Sequence, residues 1–170
     1  MTVRYEVRMR KAVHVFCAGH FITLNDALCE PVHGHNWLAA VEVEGEPDAH
    51  GMVIDFLVLR DQLAAITARL DHRMLLPTEN PLLRVTTEEV GPGRAEVTVR
   101  FGDRRWVFPA DECVLLPVAN TTAEWIARWI GRELLASMEA AGQPVRGTLR
   151  VEVDECLGQS ALWELPDTRR

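Results

Sequence analysis

The sequence predicts an α+β fold in which two amphipathic helices accompany an antiparallel sheet. Three observations predict it. Residues 3–18, 33–44 and 147–155 place apolar side chains at every second position, the period of a strand with one buried face. Two other stretches, starting at Phe56 and Ile126, repeat them at spacings of three and four, the stripe of an amphipathic helix. The strands do not alternate one for one with helices, which argues against a parallel βαβ sheet.

Along the chain, Val3, Tyr5, Val7, Met9, Val13 and Val15 fall on one face of the first strand. His14, Phe16, Ala18 and His20 fall on the other. Residues 21–32 read as a loop broken by Asn25-Asp26 and Pro31. The second strand carries Trp37, Ala39, Val41 and Val43 on one face. Asp55 is placed to cap a helix bearing Phe56, Leu59, Leu63, Ile66 and Leu70, which ends near Asp71-His72. Within 83–108, Val97, Val99 and Phe101 alternate up to Gly102-Asp103, and Trp106 and Phe108 resume beyond it, predicting a β-hairpin. Thr121 through Glu124 has the form of a capping box, with Thr121 as the cap. Ile126, Ile130, Leu134 and Met138 continue that helix and Gly142 can end it. Leu149, Val151 and Val153 share a strand face, and a last strand covers 160–165.

At 170 residues the chain suits a single domain, 1–170. A net charge of −7 argues against general nucleic-acid binding, which wants a basic surface. It does not bar a phosphorylated substrate, because a local arginine cluster can act against the overall sign. No apolar run reaches the ~18 residues of a membrane helix. Cys17, Cys29, Cys113 and Cys156 form neither a CxxC pair nor a disulfide framework. They read as free thiols of a reducing cytoplasm.

His33-Gly34-His35 is the sharpest chemical feature. On a strand, residues i and i+2 point the same way, so both imidazoles can reach one ion. His20 ends the first strand and meets them if the two strands pair across the 21–32 loop. Three neutral imidazoles with an open position describe a catalytic zinc site. Against this stands the reading of ordinary surface histidines. Cys29, four residues before His33, can face whatever the metal binds; a buried core thiol or a fourth, closing ligand are the alternatives. Asp71-His72 suits proton transfer but also a plain polar helix end. Glu155 continues the apolar face of Val151 and Val153, where a carboxylate is costly unless paired.

These segments together resemble a known family. Phe16 to His20 is similar to its F-x-A-x-H, Cys29 to Trp37 to its C-x3-H-G-H-N-aromatic motif, and Gly51 to Phe56 to its G-M-V-x-D-F. Leu70-Asp71-His72, Thr122-Ala123-Glu124 and Asp154-Glu155 with Trp163 resemble its remaining motifs, in the same order over about residues 10–163. The family is that of the 6-pyruvoyl and 6-carboxytetrahydropterin synthases of the tunnelling fold.

The resemblance implies a four-stranded antiparallel sheet with two helices on one face, assembled as trimers and hexamers. It implies that His20, His33 and His35 hold Zn2+. Cys29 would be the thiol base, with Asp71 and His72 completing its triad from a neighbouring subunit. Glu155, with Glu124 and Thr122, would bind the pterin of a pterin triphosphate substrate, 7,8-dihydroneopterin triphosphate. The spacing C-x3-H-G-H resembles the bacterial enzymes that form 6-carboxytetrahydropterin for queuosine. 6-Pyruvoyl tetrahydropterin is an alternative product. A subgroup with Glu in place of the Cys releases a 6-hydroxymethyl pterin, and here Glu30 adjoins Cys29. A non-catalytic zinc- and pterin-binding protein is the reading of another class. The chain departs from the family in about residues 82–118, an insertion with the expected hairpin, and in Trp125 and Cys156 beside the expected pocket.

Overall fold

In the computed structural model, which describes residues 4–156 and 158–167, strand β1 (Tyr5–His20) changes face half-way along. The sequence's alternation puts Val13 and Val15 on the buried side. Instead the pairing slips between Arg10 and Val15, and a bulge of this kind inverts which side chains point inward. Beyond it His14, Phe16, Ala18 and His20 are buried while Val13 and Val15 are exposed. Residue 3, also expected in this strand, lies outside the described residues. The expected loop after His20 contains a small ladder, β2 (Thr23–Asn25) against β3 (Leu28–Cys29). Strand β4 (His33–Gly45) then returns antiparallel to β1.

Helix α1 (Phe56–Leu70) starts at Asp55, whose carboxylate accepts the N–H groups of Leu57 and Val58. Leu59, Leu63, Ile66 and Leu70 are buried as expected, whereas Phe56 is exposed. Then follow β5 (Arg73–Pro77), β6 (Arg84–Gly91), β7 (Arg94–Phe101), β8 (Arg104–Pro109) and β9 (Cys113–Leu116). Helix α2 (Ala123–Ala140) and strands β10 (Thr148–Cys156) and β11 (Gln159–Leu165) complete the chain.

The main sheet has six strands, not four, in the order β11-β10-β4-β1-β5-β9, and it is mixed. Strands β5 and β9 join by parallel pairing, β5 with both β1 and β9. Met74, Leu75 and Leu76 are buried in succession, so β5 has no period of two for a sequence test to find. The insertion is likewise more than a hairpin. β6, β7 and β8 make a separate three-stranded antiparallel sheet.

Both helices pack on one face of the main sheet. Trp37, Val41, Leu63, Ile130, Leu134 and Val151 belong to one buried cluster there. The opposite face carries ion pairs such as Arg10 with Glu152 and Arg150 with Glu164. Among the described residues no helix is long and apolar enough to cross a membrane.

Candidate metal centre and adjoining cavity

The β1–β4 register builds the centre. His20 sits directly opposite His33, Gly19 opposite Gly34, and Ala18 opposite His35. His33, exposed, and His35, half-buried, share the face of β4 on which Trp37 is buried, and the bulge in β1 turns His20 to that same side. The strands approach closely enough that a Cβ on Gly34 would lie 3.1 Å from the Ala18 carbonyl oxygen. Trp37 forms the floor: its indole N–H donates to the Ala18 carbonyl at 3.1 Å, and its ring lies edge-on to His20 and His35.

Backbone carbonyls orient two of the three imidazoles. His20 Nδ1 lies 2.8 Å from the Thr121 carbonyl, and His33 Nδ1 lies 2.9 Å from the Pro31 carbonyl. A carbonyl only accepts, so each Nδ1 carries the proton and each Nε2 presents a lone pair. Those two Nε2 atoms face one another at 3.1 Å. With both protons already committed to carbonyls, no hydrogen bond is left to hold them together. A shared cation satisfies this geometry. His35 Nε2 is buried without a hydrogen bond, and the Glu155 carboxylate stands 3.5 Å from it and 3.4 Å from His20 Nε2. One donor atom from each of His20, His33, His35 and Glu155 lies within 4.8 Å of all the others, a group able to hold a metal ion. His20 is also kept neutral, as a ligand must be. Burial lowers its pKa to about 4, opposed in part by the Thr121 carbonyl, with His33 and His35 adding to the fall.

Thr121 therefore does a different job from the one expected. The N-cap of α2 is Thr122, without a side-chain cap bond. Thr121 is wholly buried: its hydroxyl donates to the Phe21 carbonyl at 2.9 Å while its own carbonyl takes His20. Glu124 does not close a capping box either, since the Thr121 N–H donates to Asn120 Oδ1 at 3.2 Å; the Thr122 hydroxyl near the Glu124 carboxylate lowers its pKa. Beside the centre is a cavity of about 300 Å³ lined by Thr122, Glu124 and Glu155, together with Ile22, Gln159, Ser160 and others. The three expected pterin contacts thus meet in one place. Ile22, Gln159 and Ser160 escaped the sequence reading because loop and edge-strand residues carry no periodic or motif signal.

Cys29, Asp71 and His72 are not brought together within the chain. Cys29 is buried among Phe21, Met74, Val97 and Val99, and its Sγ meets the Glu30 carbonyl at 3.6 Å. Burial pushes its thiol pKa up, although Arg104 acts in the opposite sense. That opposes the lowered value a thiolate base requires. His72 Nδ1 lies 3.0 Å from the Asp71 carboxylate with its side chain largely exposed, and Asp71 also accepts the Cys17 backbone N–H at 2.7 Å. That N–H, then His72, holds the Asp71 pKa below its ordinary value.

The model of the 6-pyruvoyl tetrahydropterin synthase family matches residues 9–164. The chain belongs to the 6-pyruvoyl tetrahydropterin synthase family. Among the relatives of this synthase family member, a Pyrococcus abyssi protein provisionally named 6-carboxy-5,6,7,8-tetrahydropterin synthase is 34% identical over 141 residues, 82% of this chain and 79% of the relative. A Pyrococcus horikoshii protein of the same provisional name is 32% identical over 149 residues, 86% of this chain and 84% of the relative. The fold matches that of Plasmodium vivax 6-pyruvoyltetrahydropterin synthase, solved with a catalytic glutamate replaced by alanine. That match has a TM-score of 0.85 at 23% identity and covers 97% of this chain and 99% of the other.

Proposed function

We propose that this synthase-family chain is a zinc-dependent lyase that converts 7,8-dihydroneopterin triphosphate to 6-carboxytetrahydropterin. The observation that carries the reading is the pair of carbonyl-oriented imidazoles whose Nε2 lone pairs converge with His35 beside the Glu155 cavity. Two nitrogens bound tetrahedrally at ~2.0–2.1 Å from a zinc ion stand roughly 3.3 Å apart, close to what these two show. His20, His33 and His35 would hold the zinc, which when bound supplies Lewis acidity to the side-chain oxygens of a substrate.

The residues of the chain supply the rest. Glu155 and Glu124 accept N–H groups of the pterin ring, a charge-assisted bidentate pairing that offsets the cost of a partly buried carboxylate. β11 and the start of α2 wall the cavity on one side. Asp71 and His72 project from the surface at the turn between α1 and β5, available to the site of a second copy. Their exposure leaves the pair free to serve a neighbour's thiol in a homo-oligomer.

A second reading is favoured by the burial of Cys29. Its raised pKa works against proton abstraction, whereas Glu30, adjacent in the chain, carries a carboxylate and is only partly buried. Glu30 as the base supports release of a 6-hydroxymethyl pterin, and the Plasmodium vivax relative has a catalytic glutamate of its own.

Product analysis of the zinc-loaded chain with dihydroneopterin triphosphate, alongside Cys29→Ala and Glu30→Gln, tests both. Loss of a 6-carboxy product in Cys29→Ala alone supports the first reading. Loss of a 6-hydroxymethyl product in Glu30→Gln alone supports the second. No conversion by the zinc-loaded wild type refutes both and leaves a binding protein.

A further inference from the structure

The inserted sheet has no part in the chemistry above, yet it lies against the residues that frame the metal centre. Val97 and Val99 of β7, with Phe101, Trp106 and Phe108 packed around them, bury Phe21 and Cys29. Phe21 follows the ligand His20, and the Trp106 ring stacks on it at 4.8 Å. Gly102, at a φ of 54°, makes the tight turn between β7 and β8 that places Arg104 at the head of β8.

Arg104 does not pair with a carboxylate among the described residues. Its guanidinium lies over Trp106, 4.6 Å from the ring centre, which fixes its plane. From there Nη1 donates to the Cys29 carbonyl at 2.5 Å and Nη2 reaches the Glu30 carbonyl at 3.4 Å. A planar fork suits two successive carbonyls in a way that a lysine does not. The Cys29 side chain is packed, but the backbone of the segment has few other bonds. Strand β3 is two residues long, and Glu30 has one backbone bond, to the Ile22 carbonyl at 2.9 Å. The very next carbonyl, that of Pro31, sets the tautomer of His33.

We propose that Arg104 is a positioning residue of the active centre: it fixes the Cys29–Glu30 backbone from the inserted sheet, and so sets where the thiol, the carboxylate and the His33 ring stand. This inference rests on the proposed function for its kinetic consequence but not for its structural one. Misplacing a reacting group by ~1 Å can cost about 100-fold in rate, so a loosened segment should lower kcat while leaving substrate contacts intact.

The test compares the full chain with Arg104→Ala and Arg104→Lys, all zinc-loaded. Zinc content, kcat and KM are measured, together with the iodoacetamide alkylation rate of Cys29, read by peptide mass spectrometry against the exposed Cys17 and Cys156 as internal standards. Arg104→Ala should keep its zinc, alkylate at Cys29 several-fold faster, and lose about tenfold or more in kcat with KM nearly unchanged. Arg104→Lys, which keeps the cation and one carbonyl contact, should lie between. Unchanged Cys29 alkylation in a folded Arg104→Ala overturns the proposal, as does a rise in KM at constant kcat. Should Arg104→Ala fail to fold, wild-type values in Arg104→Lys overturn it and intermediate ones support it. If no variant and no wild type turns over substrate, the proposed function fails while the alkylation rates still decide the role of Arg104.

Discussion

Gly131 sits on the face of α2 that packs against β11, and replacing it by alanine sets two effects of opposite sign against each other. In a helix interior alanine is favoured over glycine by ~1 kcal/mol. Here, however, the added Cβ would lie 2.2 and 2.4 Å from two ring carbons of Trp163. Carbon atoms rest at ~3.5–4.0 Å, so the indole or the helix must move by more than 1 Å. Overpacking costs typically ~1–3 kcal/mol, and a displacement this large falls in the upper part of that range, ~2–3 kcal/mol, so that after the helix gain Gly131→Ala should be destabilising by about 1–2 kcal/mol net. For a chain of this size that is a fall in Tm of roughly 2–8 °C. Thermal unfolding of the metal-free chain is the assay, because bound metal would add its own stabilisation. Trp163→Leu removes the clash, so Gly131→Ala should cost less in that background, a coupling a double-mutant cycle reads directly. A Tm equal to or above wild type for Gly131→Ala would refute the reasoning, since the helix gain would then have met no opposition. The same displacement bears on the cavity, whose wall includes Gln159, Ser160 and Ala161 of β11, and a higher KM should accompany it.

Two further outcomes follow from the site and from the bulge. Glu155→Gln should retain zinc by elemental analysis and raise KM about tenfold or more, as expected for a lost charge-assisted hydrogen bond of ~1.5–3 kcal/mol; loss of zinc instead would make Glu155 a ligand rather than a substrate contact. His14 is wholly buried with neither ring nitrogen in a hydrogen bond of good geometry, and burial, followed by Lys11 and Arg60, outweighs the Arg60 backbone and lowers its pKa from 6.5. The unfolded chain then takes up a proton that the folded chain resists, so this stability is whole above pH ~6.5 and is lost as pH falls toward the folded-state value. His14→Leu should therefore lose less Tm than wild type between pH 8 and pH 5, and an identical loss in both would remove His14 from the account.

The histidine group was legible in the sequence because its signal is local. His33 and His35 are two residues apart on a strand, and a strand of that period must point both the same way. His20 was legible through its place at the end of a strand that had to pair with the first two. The helices were legible for the same reason: Asp55 and the Leu59, Leu63, Ile66 stripe lie within a few turns of one another. Less was legible where a residue's partner is distant in the chain. Thr121 read as a cap, but its carbonyl is claimed by His20, 101 residues away. Strands β5 and β9 escaped because each reads as a short unbroken apolar run with no alternation, β5 because it is buried from Met74 onward and β9 although it is an edge strand with Leu115 exposed.

Composition, periodicity and motif order thus determined the helices, the long strands, the three histidines and the family. Tertiary structure alone decided which face of β1 turns inward, since one bulge between Arg10 and Val15 inverts every side chain beyond it. It alone decided that Glu155 stands beside the imidazoles and that Cys29 lies under the inserted sheet with Arg104 on its carbonyl. The physical reason is common to these. Spacing along a chain fixes which side chains share a face, whereas what faces them is set by packing between segments that sequence separation does not relate.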